Sequence, residues 1–530
     1  MEHSSFTVAG VFGDHMVWQR NKPVKIWGES AKAQTLRVFV DGSQAASARV
    51  ERGPWQLTLP AMDARRGLTV DVVGDDPAGD DPIGDGPAER VTFRDVAVGE
   101  VWIAGGQSNM AFTLAMDAEA RRVIPGASRP DIRFYDVPKV KFAGQEQEDD
   151  LSAYGFWRPL TPEHAPHYSA VGYYFARKLY ERCQVPVGIV GCNWGGTTAA
   201  TWLDERQLKA DAELRVYWQD YENSLKTLDL DAYLAAEQAQ RQTPPPFQQR
   251  FSRFIGRHTP ALLLYPLFTA IYRAFSKNGL PLGPRDINRP GGLYETMVRR
   301  IAGYTARGVI WYQGETDDTP EKAARYACIF SALIGCWRAA WEDALPFLFV
   351  QLAPYEKWMI FDAVNFHVLR EQQELVSKTV PGAYMVSIMD AGARRDVHPK
   401  RKRVVGERLA LLARGKVYGE DILCEAPEAA SLKAEGGRVM IPFRHVGDGL
   451  RLNGGPLKGL ELLADGQAVP IHKVTIGKDT LTVEVDATAA KELEVRLAYR
   501  NYAEVNLYNS AGLAAKPFRR VVAVAEAAGS

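Results

Sequence analysis

The stretch Gly99-Glu100-Val101-Trp102-Ile103-Ala104-Gly105-Gly106-Gln107-Ser108-Asn109-Met110 constrains the fold more than any other. Val101 to Ala104 read as a short buried strand, two glycines break it, and a polar triplet leads into a helical pattern from Met110 to about Ala120. Ser108 falls at this strand-to-helix turn, where a helix N-terminus offers unpaired N–H groups and a partial positive charge. That field favours a developing oxyanion and suits a nucleophilic serine; a serine that merely caps the helix fits the same spacing. The G-x-S-x-G nucleophile elbow is excluded, because Met110 stands two residues after the serine.

Around this stretch the patterning changes twice. Residues 6 to about 95 alternate apolar and polar in short runs, such as Val24-Lys25-Ile26-Trp27-Gly28 and Trp55-Gln56-Leu57-Thr58-Leu59, which predicts a small antiparallel β-sandwich. From about Val98, buried strands alternate with amphipathic helices, which implies a parallel sheet with helices on both faces. Strands are expected at 100–104, 187–192, 308–312, 347–352 and 383–389, and helices at 168–182, 320–342, 362–378 and 399–414. Residues 203–300 break the alternation and read as a mainly helical insertion holding the Pro244-Pro245-Pro246 break and an apolar run, Ala261 to Phe275, expected as a core or lid helix. After about Gly415 short alternating strands return. The resulting division is 1–96, a β-sandwich-like domain; 97–202 and 301–415, the two parts of the sheet domain; 203–300, the insertion; and 416–530, a C-terminal β-domain. The Asp-, Pro- and Gly-rich segment Asp75 to Pro87 reads as an exposed loop, since it lacks the EF-hand order of ligands.

A chain of 530 residues with 64 basic and 64 acidic side chains has no net charge to attract a polyanion, and the short run Lys400-Arg401-Lys402-Arg403 reads as a solvated helix start. Five scattered cysteines fit a reducing compartment, no run spans a bilayer, and the N-terminus lacks the pattern of a signal peptide. The expectation is a cytoplasmic protein that needs no metal or other cofactor, with no nucleic-acid or membrane partner.

In an open parallel sheet, sites form beyond the C-terminal strand ends. Past the first strand comes Ser108. Past the second comes Asn193-Trp194-Gly195-Gly196-Thr197, whose glycines allow close approach of backbone N–H groups. Past the third comes Gln313-Gly314-Glu315, with a side-chain donor at Gln313, and past the last Asp396-Val397-His398-Pro399. Nucleophile, oxyanion donors, base and base-orienter are what acyl transfer requires. Each has a bland alternative: Asp396 as a helix cap, Gln313 as a strand-end hydrogen-bonder, the glycines as turns. Of Trp194, Trp202, Trp311 and Tyr312, which flank these blocks, one is expected to reach a ligand and the rest to be core.

Gly106-Gln107-Ser108-Asn109-Met110, Trp194-Gly195-Gly196-Thr197, Trp311-Tyr312-Gln313-Gly314-Glu315 and Asp396-Val397-His398-Pro399 resemble, in order, the signature blocks of the sialate O-acetylesterase-like carbohydrate esterases of the SGNH (GDSL-like) hydrolase superfamily. The resemblance runs nearly end to end. It implies a three-layer α/β/α parallel-sheet domain flanked by the two β-sandwich-like domains. By the same resemblance Ser108 is the nucleophile and His398 the base, with Asp396 as orienter. The N–H of Ser108, a glycine of the Gly195-Gly196 pair and the Gln313 amide form the oxyanion hole, and Gln107, Asn109, Trp194, Tyr312 and Glu315 contact the substrate. Two departures stand out. Arg395 occupies the position, three before the histidine, where many of these enzymes carry the acid, which leaves Asp390 or a backbone carbonyl as other orienters of His398. Glu295 replaces an asparagine usual after the tyrosine in Leu293-Tyr294-Glu295-Thr296. The implied activity is removal of acetyl groups from sialic acid or hemicellulose fragments through an acetyl-enzyme. Two other readings fit the chain: an inactive carbohydrate-binding protein, which the intact Ser108 and His398 argue against, and a thioesterase or lipase on the same frame.

Overall fold

The structure, a computed structural model, describes residues 4–75, 89–242, 280–358, 361–486 and 490–525. The Ala261–Phe275 run, the proline break and nearly all of the Asp75–Pro87 segment lie outside these residues. The chain divides into two compact units: one over the described residues of Met1–Arg257, Leu280–Trp311 and Ala332–Phe347, the other over those of His258–Gly279, Tyr312–Ser331 and Leu348–Ser530.

The first unit opens with β1 (Phe6–Val8), β2 (Val17–Gln19), β3 (Val24–Ser30), β4 (Gln34–Val40), β5 (Ser43–Val50), β6 (Gly53–Leu59) and β7 (Arg65–Asp75). β1, β3 and β6 form one antiparallel sheet, while β4 pairs with β5 and β7. The strand expected at 100–104 is the tail of a much longer one, β8 (Glu89–Gly106), which crosses position 96 without interruption. Its first half runs antiparallel to β7 and alternates in burial; from Val96 onward every residue is buried. There it runs parallel to β11 (Val187–Asn193), in register from Glu100↔Val187 to Gly106↔Asn193. The two halves meet at Asp95, whose φ of +52° accompanies a shift of register against β7, so one strand with an irregularity serves first a half-solvated sheet and then a fully buried one. With β9 (Arg129–Asp136), β10 (Trp157–Leu160) and β12 (Gly308–Tyr312) the order is β10-β9-β11-β8-β12, β9 and β11 being parallel.

The helical pattern after Ser108 is realised only in pieces: Ser108–Ala111, a 3-10 turn Leu114–Met116 and Ala120–Val123. Tertiary pairing overrides propensity here. Thr113 bridges Ser169, and the Leu114 N–H donates to the Tyr168 carbonyl at 2.8 Å. Just beyond, Ser169 caps the helix Ala170–Cys183 by accepting from the Gly172 N–H. Beneath the serine turn, Trp311 packs edge-to-face against Trp202 and Trp337. Gly105 is needed there, since a Cβ would come within 2.7 Å of the Trp311 ring.

In the second unit β13 (Phe347–Val350) neighbours β16 (Ala383–Val386), and a hairpin of β14 (Lys357–Trp358) and β15 (Phe361–Asp362) lies between them in sequence. The helices Phe366–Thr379 and Lys402–Lys416 start later than the spacing predicts, and the helix expected over 320–342 divides at Arg325. A nine-stranded sheet between Glu428 and Ala525 closes over Val439, Ile441, Leu481, Val483, Val495 and Leu497. No disulfide joins the five cysteines. Among the described residues no helix is long and apolar enough to cross a membrane.

Candidate active site

In the first unit, the turn after β8 is built by Gly106, at φ +127°, and by an extended Gln107, so the helix begins at Ser108 and Gln107 takes the N-cap position. Ser108 is therefore the first residue of the helix and not its N-cap. The neighbouring strand end is tied to it: the Trp194 N–H donates to the Gly106 carbonyl at 3.0 Å, and Asn193 Nδ2 to that of Ala104 at 3.0 Å. Gly195 lies directly against the serine, where a Cβ would stand 3.2 Å from Ser108 Cβ. Gly196 adopts φ +76°, a conformation that L side chains rarely enter. Among the described residues the N–H groups of Gly195 and Gly196 donate to no partner.

Asn288, in the segment read from sequence as insertion, fastens this glycine turn. Its Oδ1 accepts from the Thr198 N–H at 2.9 Å and its Nδ2 donates to the Gly196 carbonyl at 3.0 Å. The sequence offers no signal for it, since the contact spans about ninety positions. Asp136 and Lys139 also escaped notice, because β9 is too polar at its start to read as a sheet strand. Burial raises the Asp136 carboxyl above its usual range and lowers Lys139 below its own. Lys139 Nζ stands 6.0 Å from the Trp194 ring centroid. Trp194 is half-buried, whereas Trp202, Trp311 and Tyr312 are interior, so Trp194 is the member of the four placed to reach a ligand. Gln107 and Asn109 are 2% and 1% exposed; the triplet leaves Ser108 half-open and encloses the two expected substrate contacts.

The second unit carries the other candidates. Gln313 is held on three sides: Nε2 donates to Asp317 Oδ2 at 2.6 Å, Oε1 accepts from the Tyr326 hydroxyl at 2.7 Å, and its carbonyl accepts from Gln373 Nε2 at 3.2 Å. The carboxylate of Asp317 fixes which end of the amide is the donor. Glu315, half-buried, opens a 3-10 turn after Gly314. Tyr312, expected at the substrate, is wholly enclosed. Burial takes its phenol well above the ordinary range, and the hydroxyl has no hydrogen-bond partner among the described residues. Lys402 Nζ lies 5.4 Å from the Tyr312 ring centroid and the side chain is fully buried, although the first turn of a helix is unfavourable for a cation.

His398 stands edge-on to Trp358, with ring centroids 5.2 Å apart. Burial, and then the Lys402 charge, lower its pKa to about 4. Asp396 Oδ1 accepts the His398 backbone N–H at 2.9 Å and lies 3.9 Å from Nδ1, beyond hydrogen-bond length, so its contact is with the backbone of the loop. Burial raises the Asp396 carboxyl. Asp390, the other carboxylate considered, gives both oxygens to Arg408 at 2.6 and 2.7 Å.

Residues 276–413 match the family model described as carbohydrate esterase, sialic acid-specific acetylesterase. Sialate O-acetylesterase of Rattus norvegicus is 27% identical over 447 residues, covering 78% of this chain and 74% of the relative; that of Homo sapiens is 24% identical over 556 residues, covering 97% and 92%. A carbohydrate acetylesterase from Xanthomonas citri superposes with a TM-score of 0.73 at 29% identity, covering 97% of this chain and 99% of its own. The chain is thus a carbohydrate esterase, one of the carboxylic ester hydrolases. Within that class its likenesses are to sialate O-acetylesterases and to a carbohydrate acetylesterase.

The Gly195 contact makes a direct prediction. In Gly195→Ala the new methyl, 3.2 Å from Ser108 Cβ, must displace the serine by a few tenths of an ångström. Turnover of nitrophenyl acetate is expected to fall about tenfold with little change in KM or melting temperature, because positioning is what is lost.

Proposed function

We propose that this chain is a serine-dependent O-acetylesterase acting on acetylated carbohydrates, with an SGNH-type central domain. Ser108 Oγ attacks the acetyl carbonyl carbon while His398 takes its proton. The tetrahedral oxyanion is received by backbone N–H groups of Ser108 and the Gly195–Gly196 turn and by the Gln313 amide. Each key donor contributes about 3–4 kcal/mol by comparison with other acyl-transfer enzymes. Collapse breaks the ester C–O bond, and the sugar leaves as an alcohol carrying the proton from His398. Water, deprotonated by His398, then attacks the acetyl-enzyme; acetate departs and Ser108 recovers its proton. Trp194 offers a half-exposed face for a sugar ring.

The observation that carries this reading is the seat of Ser108 against a glycine turn whose two N–H groups have no described partner. The experiment is acetate release from acetylated sialic acid, acetylated xylo-oligosaccharides and acetylated xyloglucan fragments, beside an acyl-length series of nitrophenyl esters. Release from at least one sugar, with acetate preferred over octanoate, is expected. Preference for octanoate with no release from any sugar would assign the chain to acyl-chain hydrolysis instead.

The base must be neutral to work. Because His398 takes up its proton near pH 4, kcat/KM is expected to hold from neutrality to about pH 5 and to fall below that, where an unperturbed histidine would already be lost near 6.5. Lys402→Met should move this acid limb upward, by only part of the difference, since burial is the larger cause. Stability follows the same proton. The unfolded chain binds it near 6.5 and the folded one near 4, so this group destabilises folding progressively as pH falls between those values, and no further below them.

A further inference from the structure

A cavity of about 670 Å³ opens in the first unit between the outward face of the β1-β3-β6 sheet and the segments at Tyr135 and Arg299–Ala302. Neither Ser108 nor any residue of the Trp194–Thr197 turn lines it. In β3, Val24, Ile26 and Ser30 are buried while Lys25, Trp27 and Glu29 point outward. The register sets Trp27 opposite Gln56, and Glu29 opposite both Thr7 and Pro54. A sheet face meant only for water would carry polar residues at such positions, yet this one presents an indole.

That indole is rigidly mounted, edge-on to Phe12 with centroids 4.7 Å apart. Two more aromatic residues line the space with their polar atoms already engaged: Trp55 Nε1 donates to the Thr7 carbonyl at 3.2 Å, and the Tyr135 hydroxyl to that of Gly10 at 3.1 Å. Both rings are buried, at 4% and 3% exposure, so they back the space from below and the half-buried Trp27 is the ring left for a ligand. Around it stand exposed polar groups of both signs, Glu29, Gln56 and Arg299, the last of which has no side-chain hydrogen bond or ion pair among the described residues.

From this pairing of one fixed, half-exposed indole with planar hydrogen-bonding side chains, in a volume typical of small-ligand sites, we infer that the cavity is a second, non-catalytic carbohydrate subsite that takes a short oligosaccharide. Sugar rings have apolar C–H faces and a rim of hydroxyls, which is the complement of this lining; a fatty acyl chain would leave the polar groups unmatched. The inference rests on the carbohydrate reading of the enzyme and deepens it: the subsite would hold the part of the substrate that carries no acetyl group.

The test is calorimetric titration of the full chain with unacetylated xylo-oligosaccharides, xyloglucan fragments and a sialylated trisaccharide, in wild type, Gly10→Trp and Trp27→Ala. A Cβ at Gly10 meets nothing within 4 Å, so the tryptophan fills the cavity without removing an existing contact. Binding by wild type that weakens at least tenfold in both variants, with nitrophenyl acetate hydrolysis unchanged, is the expected result; the sialylated arm tells whether Arg299 meets a carboxylate. Should either variant fail to fold, Gln56→Ala, on an exposed side chain of the same face, decides by a loss of threefold or more. Binding to no glycan, or binding unaffected by these changes, overturns the subsite. The esterase reading fails separately, by absent acetate release in wild type whatever the titration shows.

Discussion

Ser108→Ala is expected to fold as the wild type does and to lose about 10⁴-fold or more of its kcat on acetylated sugar and nitrophenyl acetate alike. The side chain is half-open and sits at the start of a four-residue helix, so the hydroxyl contributes little to packing and the melting temperature should barely move. Under the proposed mechanism a residue of acceleration over water should survive, because the proposed oxyanion donors remain when water attacks directly. Acetate release and a thermal scan on the same sample read both halves. Activity within tenfold of wild type would place the nucleophile elsewhere in the chain.

Glu100→Leu is expected to produce the largest loss of stability. Glu100 is fully buried at the heart of β8. Its Oε1 accepts from Arg20 Nε at 2.6 Å and its Oε2 from Arg307 Nε at 2.9 Å, while Gln19 is bound to the Val101 N–H at 2.8 Å beside it. Removing the carboxylate strands two guanidinium groups that are only 25% and 20% exposed, a change that costs about 3 kcal/mol or more. The urea transition should shift to lower denaturant accordingly. Adding Arg307→Met should recover part of the loss, which a simple packing defect at position 100 would not allow.

Much of the candidate site is legible in the sequence because chemistry-bearing residues sit where strands end, and strand ends are marked locally. Val187–Asn193 and Gly308–Tyr312 are continuous apolar runs closed by polar residues or glycine, so Gly195, Gly196 and Gln313 could be placed with them. What the sequence hides is set by distant partners. The helix pattern after Ser108 is sound as periodicity, but Tyr168 and Ser169 claim its backbone. Asn288 and Lys402 matter through contacts that no local window contains. Tyr312 shows the limit of composition: an aromatic residue in a signature block looks like a sugar platform until burial is known. The fold match at 29% identity shows that the β-rich and α/β character read from patterning extends over nearly the whole chain.

The length of β8 has a consequence during synthesis. Its N-terminal half finds β7, and Ala97–Gly99 find β2, as soon as they leave the ribosome, but Glu100–Gly106 must wait for β11, which ends at Asn193, and β12, which ends at Tyr312. At ordinary rates of translation the first of these arrives roughly 4–17 s after Gly106. For that interval the nascent chain displays an apolar strand with unpaired edges, the kind of surface that invites pairing with another chain. Slowing elongation between residues 106 and 193 is therefore expected to lower the soluble yield of this protein.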